Sequence, residues 1–297
     1  MNMPGRKILL WATLAAVAAT PVVSQTPAPA PDFSGVWRHP TLPGFEPMAS
    51  GPTAVTNKTR RPDGASNWNM LVGDYSNPIL KPQAAEAVKK QGDLSLAGIM
   101  PPTPANQCWP QPVPYIFWTF NMQMMQQKDK ITILYSNPDH EFRQVRMNQS
   151  HPARMTPSWY GDSVGHYEGD TLVIDTVGIK TGRPYEMVDV YGTPYSEKLH
   201  VVERYRLLDY TEAKEGLDRD AKENQRIGQG DIDRSYRGKH LQLQFTVEDE
   251  GTFTTPWTAT ITYGRGSNGW DEQVCAENTR EYTGKSADLP TAARADF

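Results

Sequence analysis

Cysteine is nearly absent. The 297-residue chain has two, Cys108 and Cys275, far apart and in no CxxC-type pair. That excludes the zinc and redox arrangements in which two thiols converge from one turn. The chain also lacks a GxSxG elbow, an HExxH pair, a glycine-rich phosphate loop and a dinucleotide fingerprint. His140-Glu141 has no second histidine four residues on, and the six histidines are scattered without ligand spacing. No metal and no cofactor are therefore expected. Positive charge is not in excess either: 30 Lys and Arg stand against 34 Asp and Glu, net −4. Nothing in that balance favours a nucleic-acid partner. Helical periodicity is scarce, whereas Gly (23) and Pro (25) are frequent. This composition predicts a mainly β architecture with long Pro/Gly-rich loops and few helices.

Only one apolar run is long. Arg6-Lys7 precede Ile8 to Ala19, with small residues following at Val22 and Ser24. The layout is that of a signal peptide over residues 1–24, cleaved after Ser24. The run is short of the roughly 20 apolar residues that span a bilayer. No cysteine follows it to carry a lipid, so no membrane partner is expected after cleavage. The protein is expected in the periplasm or secreted, where Cys108 and Cys275 would form a disulfide. Closing so long a loop stabilises a fold by roughly 4–5 kcal/mol in chain-entropy terms.

Residues 25–31 alternate Pro and Ala and form a linker. Residues 32–114 read as an N-terminal strand followed by a loop-rich cover, with one helix from Pro82 to Gly92. Residues 115–283 read as an antiparallel β core, either a barrel, lipocalin-like in one version, or a sandwich. Its strands are Tyr115 to Met125, Lys130 to Ser136, His140 to Met147, Leu199 to Leu208, Leu241 to Val247, Thr254 to Tyr263 and Val274 to Glu277. A charged insertion, 211–238, interrupts it and reads as a solvated helix or loop. Residues 284–297 are a tail.

The stretch Ser158 to Val177 reads as a hairpin with Gly169-Asp170 at its turn. Glu168 then faces Thr171, His166 faces Val173 and Val164 faces Asp175. Asp162, Val164, His166 and Glu168 share one face with Thr171, Val173, Asp175 and Val177. That face mixes valines with a histidine and carboxylates, as a pocket wall does, and puts Asp175 diagonally across from His166. Leu199 to Leu208 places Glu203 on an apolar face and His200, Arg204 and Arg206 on the other. Glu203 is then either a buried carboxyl with a raised pKa, suited to acid–base work, or one half of a structural ion pair with Arg143. His200 and Glu203 line one cavity only if a bulge or a strand end intervenes.

Two resemblances follow. Gly35-Val36-Trp37 resembles the GxW signature that opens lipocalin barrels. The ordered motifs from Cys108 to Asn278, among them GDSVGHYEGDTLVIDTVG, LHVVERYR and PWTATITY, resemble a widespread family of exported bacterial proteins of mostly unassigned function. His166-Tyr167 stands where that family's pattern would have Arg-Trp, and the charged insertion stands where a short connection would be.

Two function classes remain. One is an exported, cofactor-independent enzyme applying acid–base chemistry, of lyase, isomerase or hydrolase type, to a small organic molecule, an aromatic one in one version. Its candidate residues are His140, Arg143, His166, Asp175, His200, Glu203 and Arg204, with an arginine stabilising a developing oxyanion. Glu203 with Arg143, and His200 with Arg204, are rival pairs. The other class is a lipocalin-like binding protein for an apolar small molecule. The density of His, Glu and Arg on one strand favours the enzyme.

Overall fold

The computed structural model describes residues 30–39, 45–118, 121–135, 141–182, 185–223, 233 and 235–266. In chain order its elements are β1 (Gly35–Arg38), β2 (Glu46–Pro47), α1 (Pro82–Leu96), β3 (Asn121–Gln126), β4 (Lys130–Tyr135) and β5 (Phe142–Met147). These are followed by β6 (Asp162–Glu168), β7 (Thr171–Val177), β8 (His200–Leu208), α2 (Tyr210–Glu223), β9 (His240–Glu248) and β10 (Trp257–Arg265). Alternating burial along β4 and β8 shows why these segments are strands with one face inward. Nine of them close in the order β1-β3-β4-β5-β6-β7-β8-β9-β10, with β10 returning to β1, and the short β2 adds beside β10. The expected β barrel is therefore the fold.

Closure is not wholly antiparallel. β5 and β6 run parallel, with Val145 beside Ser163 and Met147 beside Gly165. A parallel pair needs a crossover of about a dozen residues, and the loop 148–161 provides it. Gly165 lets the two strands approach, since a Cβ there would sit 2.9 Å from Val145 Cγ1. The segment expected as one strand from Tyr115 to Met125 is split. Tyr115–Trp118 is a buried 3-10 turn, and the strand begins only at Asn121.

The cover packs its rings into the barrel. Phe45 and Phe117 each lie 4.9 Å from Phe245, ring to ring, and Phe45 lies 4.9 Å from Trp118. α1 starts at Pro82, whose missing N–H costs nothing at a first helical position. It runs past Gly92 to Leu96 because Gly92 faces Val72, only 3.0 Å from where a Cβ would be. Tertiary contact thus overrides the weak helix propensity of that glycine. The first half of the charged insertion is ordered as α2. It buries Ala213 and sets Gly216 against Thr262 of β10, which leaves its charges outward.

Residues 1–29, His140, Cys275, the strand expected at 274–277 and the tail lie outside the described residues. The expected Cys108–Cys275 disulfide therefore falls outside the described residues. Cys108 ends the 3-10 turn Ala105–Gln107 in a left-handed conformation, φ +51°. No helix among the described residues is long and apolar enough to cross a membrane.

Candidate functional site

The hairpin register is the one the sequence predicts: Glu168 opposite Thr171, His166 opposite Val173, Val164 opposite Asp175. Gly169 takes the left-handed conformation its two-residue turn requires, φ +63°. β7 then pairs with β8 and β8 with β9, so His200 lies opposite Glu248, and Glu203 lies between Ile174 and Phe245. No bulge brings His200 and Glu203 to one face. The seven candidate residues divide accordingly.

Arg143 and Glu203 meet inside the barrel. Arg143 Nη1 donates to Glu203 Oε1 and Nη2 to Oε2, both at 2.6 Å, a two-pronged contact. Tyr205 Oη donates to Glu203 Oε2 at 2.8 Å, and Arg143 Nη2 reaches Tyr135 Oη at 3.1 Å. Arg143 Nη1 also lies 3.5 Å from Thr176 Oγ1, which shares a 2.8 Å bond with Ser163 Oγ. Glu203 is wholly buried and Arg143 nearly so. Burial alone pulls the guanidinium pKa down, but the Glu203 carboxylate and the two phenols outweigh it and hold it well above its ordinary value. Burial also raises the Tyr135 and Tyr205 hydroxyls, and Glu203's charge adds to the effect. Both carboxylate oxygens are engaged and neither meets solvent.

Asp175 and His200 lie outside, with a residue that pattern reading passed over. His200 Nε2 lies 2.9 Å from Asp175 Oδ1, and His200 Nδ1 lies 3.4 Å from Glu248 Oε2. His151, from the crossover loop, places Nε2 3.2 Å from the same Asp175 oxygen and Nδ1 2.7 Å from Asp162 Oδ1. Arg146 closes the row, donating to both Asp162 oxygens at 2.7 and 2.9 Å. Asp162 and Asp175 are diagonal neighbours on paired strands, about 7–8 Å apart by Cα, and like charges so placed need a cation between them. His151 supplies it. That outward diagonal, followed by a histidine in the adjoining loop, was the available signal. The bond to His200 lowers the Asp175 pKa against opposing burial, with His151 adding to the lowering. The same bond to Asp175 raises His200, with Glu248 adding to it.

His166 and Arg204 form a third group. His166 Nε2 is 3.1 Å from Glu168 Oε1, and Arg204 donates to Glu168 Oε2. The expected approach of His166 to Asp175 does not occur, because each has a nearer partner. His200 and Arg204 likewise do not pair: they sit two rungs apart on β8 and bond to different carboxylates. His140 lies outside the described residues.

An open hollow of about 570 Å³ lies past the end of the β8–β9 ladder, lined by Lys81, Ser196, Lys198, Glu250, Phe253 and Thr254 and by none of the seven candidate residues. Lys198 and Glu250 form its rim, bonded at 2.7 Å. Among the described residues no three His, Cys, Asp or Glu side chains are grouped so as to hold a metal ion. A further buried carboxylate, Asp189, accepts from the backbone N–H groups of Tyr191 (2.9 Å) and Thr193 (3.2 Å), and burial pushes its pKa up to about 6. No family model, curated protein or solved structure matches this chain. The resemblance drawn above therefore stands on its motifs alone.

Proposed function

We propose that this is an exported enzyme that applies acid–base chemistry to a small organic molecule at the outer wall of the barrel. The supporting observation is the His151–Asp175–His200 row, half-buried and open to solvent. A histidine held by a carboxylate has the tautomer, orientation and raised basicity that proton transfer uses. In this reading His200, oriented by Asp175, is the acid–base group. The substrate binds on the outer wall against it, without a resident cofactor. Arg143 and Glu203 hold the barrel together rather than act on substrate, since both are closed off from solvent.

A lipocalin-like carrier would need room in the barrel centre. The inward positions there carry the Arg143–Glu203 pair, Tyr135 and Tyr205, all buried. The test is a turnover screen of small organic acids, esters and aromatic compounds with purified mature protein. For any substrate found, His200→Gln and Asp175→Asn should each lower kcat by roughly 10²-fold while the circular-dichroism spectrum is kept. Full turnover in both variants would refute the assignment, and binding without turnover in the wild type would favour the carrier. Export and the Cys108–Cys275 disulfide belong to the same proposal. Intact-mass analysis of periplasmic protein should give a chain beginning after Ser24 and two mass units lighter than its reduced form by about the two hydrogens lost on disulfide formation.

A further inference from the structure

The crossover loop 148–161 is pinned at its ends by backbone bonds. Asn148 N–H donates to Gly165 O at 2.6 Å, and Ser158 N–H donates to Gly178 O at 3.1 Å. Between these points Pro152, Ala153, Arg154, Thr156 and Pro157 are exposed. Met155 rests against Gly178; Arg146 donates to Gln149 Oε1 at 2.7 Å and Ser150 O at 3.4 Å at the loop's start, and His151 is the polar anchor nearest its exposed middle.

Both ring nitrogens of His151 face carboxylates, Asp162 and Asp175, and both of His200 face carboxylates, Asp175 and Glu248. A neutral imidazole has one N–H and can donate at one nitrogen only. Every one of these contacts is a hydrogen bond only when both rings are imidazolium. The groups facing the row are Arg146 from β5, Asp162 from β6, Asp175 from β7, His200 from β8 and Glu248 from β9. With both rings protonated, three positive charges meet three negative ones. With both neutral, Arg146 alone faces three carboxylates, and two ring lone pairs point at oxygen.

We propose that the loop 148–161 is a pH-dependent strap, fastened through His151 to Asp162 and Asp175 in acid and released in its exposed middle as the rings lose their protons. The raised pKa of His200 agrees with the wall favouring its protonated ring. The strap needs no catalysis by these residues, so its test is independent of turnover.

Arg154 is exposed in the middle of the loop and is a trypsin site. The full mature protein is digested at pH 5.5 and pH 8.5, with each rate divided by that for a small arginyl peptide at the same pH. Cleavage after Arg154, identified by mass, should be roughly threefold to tenfold faster at pH 8.5, as the loss of two partly exposed ion-paired contacts implies. His151→Gln should cleave rapidly at both pH values, with a ratio near one. Asp175→Asn should lower the wild-type ratio, and it serves alone if the first variant fails to fold. An equal normalised rate at both pH values in the wild type would overturn the strap. So would an unchanged pH ratio in His151→Gln, or in Asp175→Asn if that variant serves alone.

Discussion

Two sets of charges share strand β8 and differ mainly in which way they point. Glu203 faces inward, where it meets Arg143 with no solvent on either side. His200, three residues earlier, faces outward and shares Asp175 with His151, at about a third of full side-chain exposure for both His200 and Asp175. Inside, desolvation makes the pair costly to create and far costlier to break, so it acts as a structural fixture. Outside, water screens each contact, and the protons can come and go at ordinary pH. Chemically similar pairs thus serve as a clamp in one place and as a titrating group in the other, and burial makes the difference.

The largest expected effect tests the inner pair. Arg143→Met strands a buried carboxylate and should cost about 3–5 kcal/mol in urea unfolding. Adding Glu203→Leu should restore most of that, because an apolar pair of similar volume carries no stranded charge. If the double variant is no more stable than the single, the clamp account fails. Tyr205→Phe removes one donor from Glu203 and should cost about 1–2 kcal/mol by the same measurement.

The outer row should show itself in pH dependence more than in size. His200 is raised in the folded state, so its contribution is full below its unfolded value of about 6.5 and is lost as pH rises through the folded value. Asp175 is lowered, so its contribution is full above about 3.9 and is lost as pH falls through the folded value. Together they contribute most between about pH 4 and 6.5. Asp175→Asn should cost about 1 kcal/mol there after allowance for solvent screening, and progressively less toward pH 9, read from thermal melts across pH. A cost independent of pH would erase the distinction between the two regions. The smallest effect belongs to the third group. Glu168→Gln leaves only exposed contacts to His166 and Arg204 and should change stability by no more than about 0.5 kcal/mol.

Much of the barrel wall is legible in the residues themselves. Side chains alternate along a strand, so the register of the β6–β7 hairpin and the opposite facing of His200 and Glu203 follow from spacing alone. The Arg143–Glu203 pair is legible in the same way, since a lone carboxylate on an apolar face calls for a cation, and Arg143 lies on the inward face of its own strand. His151 is not legible by that route. It sits in a loop, has no periodicity, and owes its place to a crossover that makes β5 and β6 parallel. The partition of the candidate residues into three groups is likewise invisible, because nearest-partner competition in space decided it: Glu168 took His166 and Arg204, and Asp175 took His200.

By itself the sequence determined what is local: the β character, the strand faces, the two-residue turn at Gly169-Asp170, and the need for a counter-charge beside Glu203. The tertiary structure alone decided closure of the barrel, the parallel β5–β6 pair, the extension of α1 past Gly92, and the meeting of His151 with Asp162 and Asp175. The physical reason is the range of each effect. Alternation and turn preference act over a few bonds, whereas burial and charge pairing depend on which distant segments the closed barrel brings within about 3 Å, the reach of a hydrogen bond.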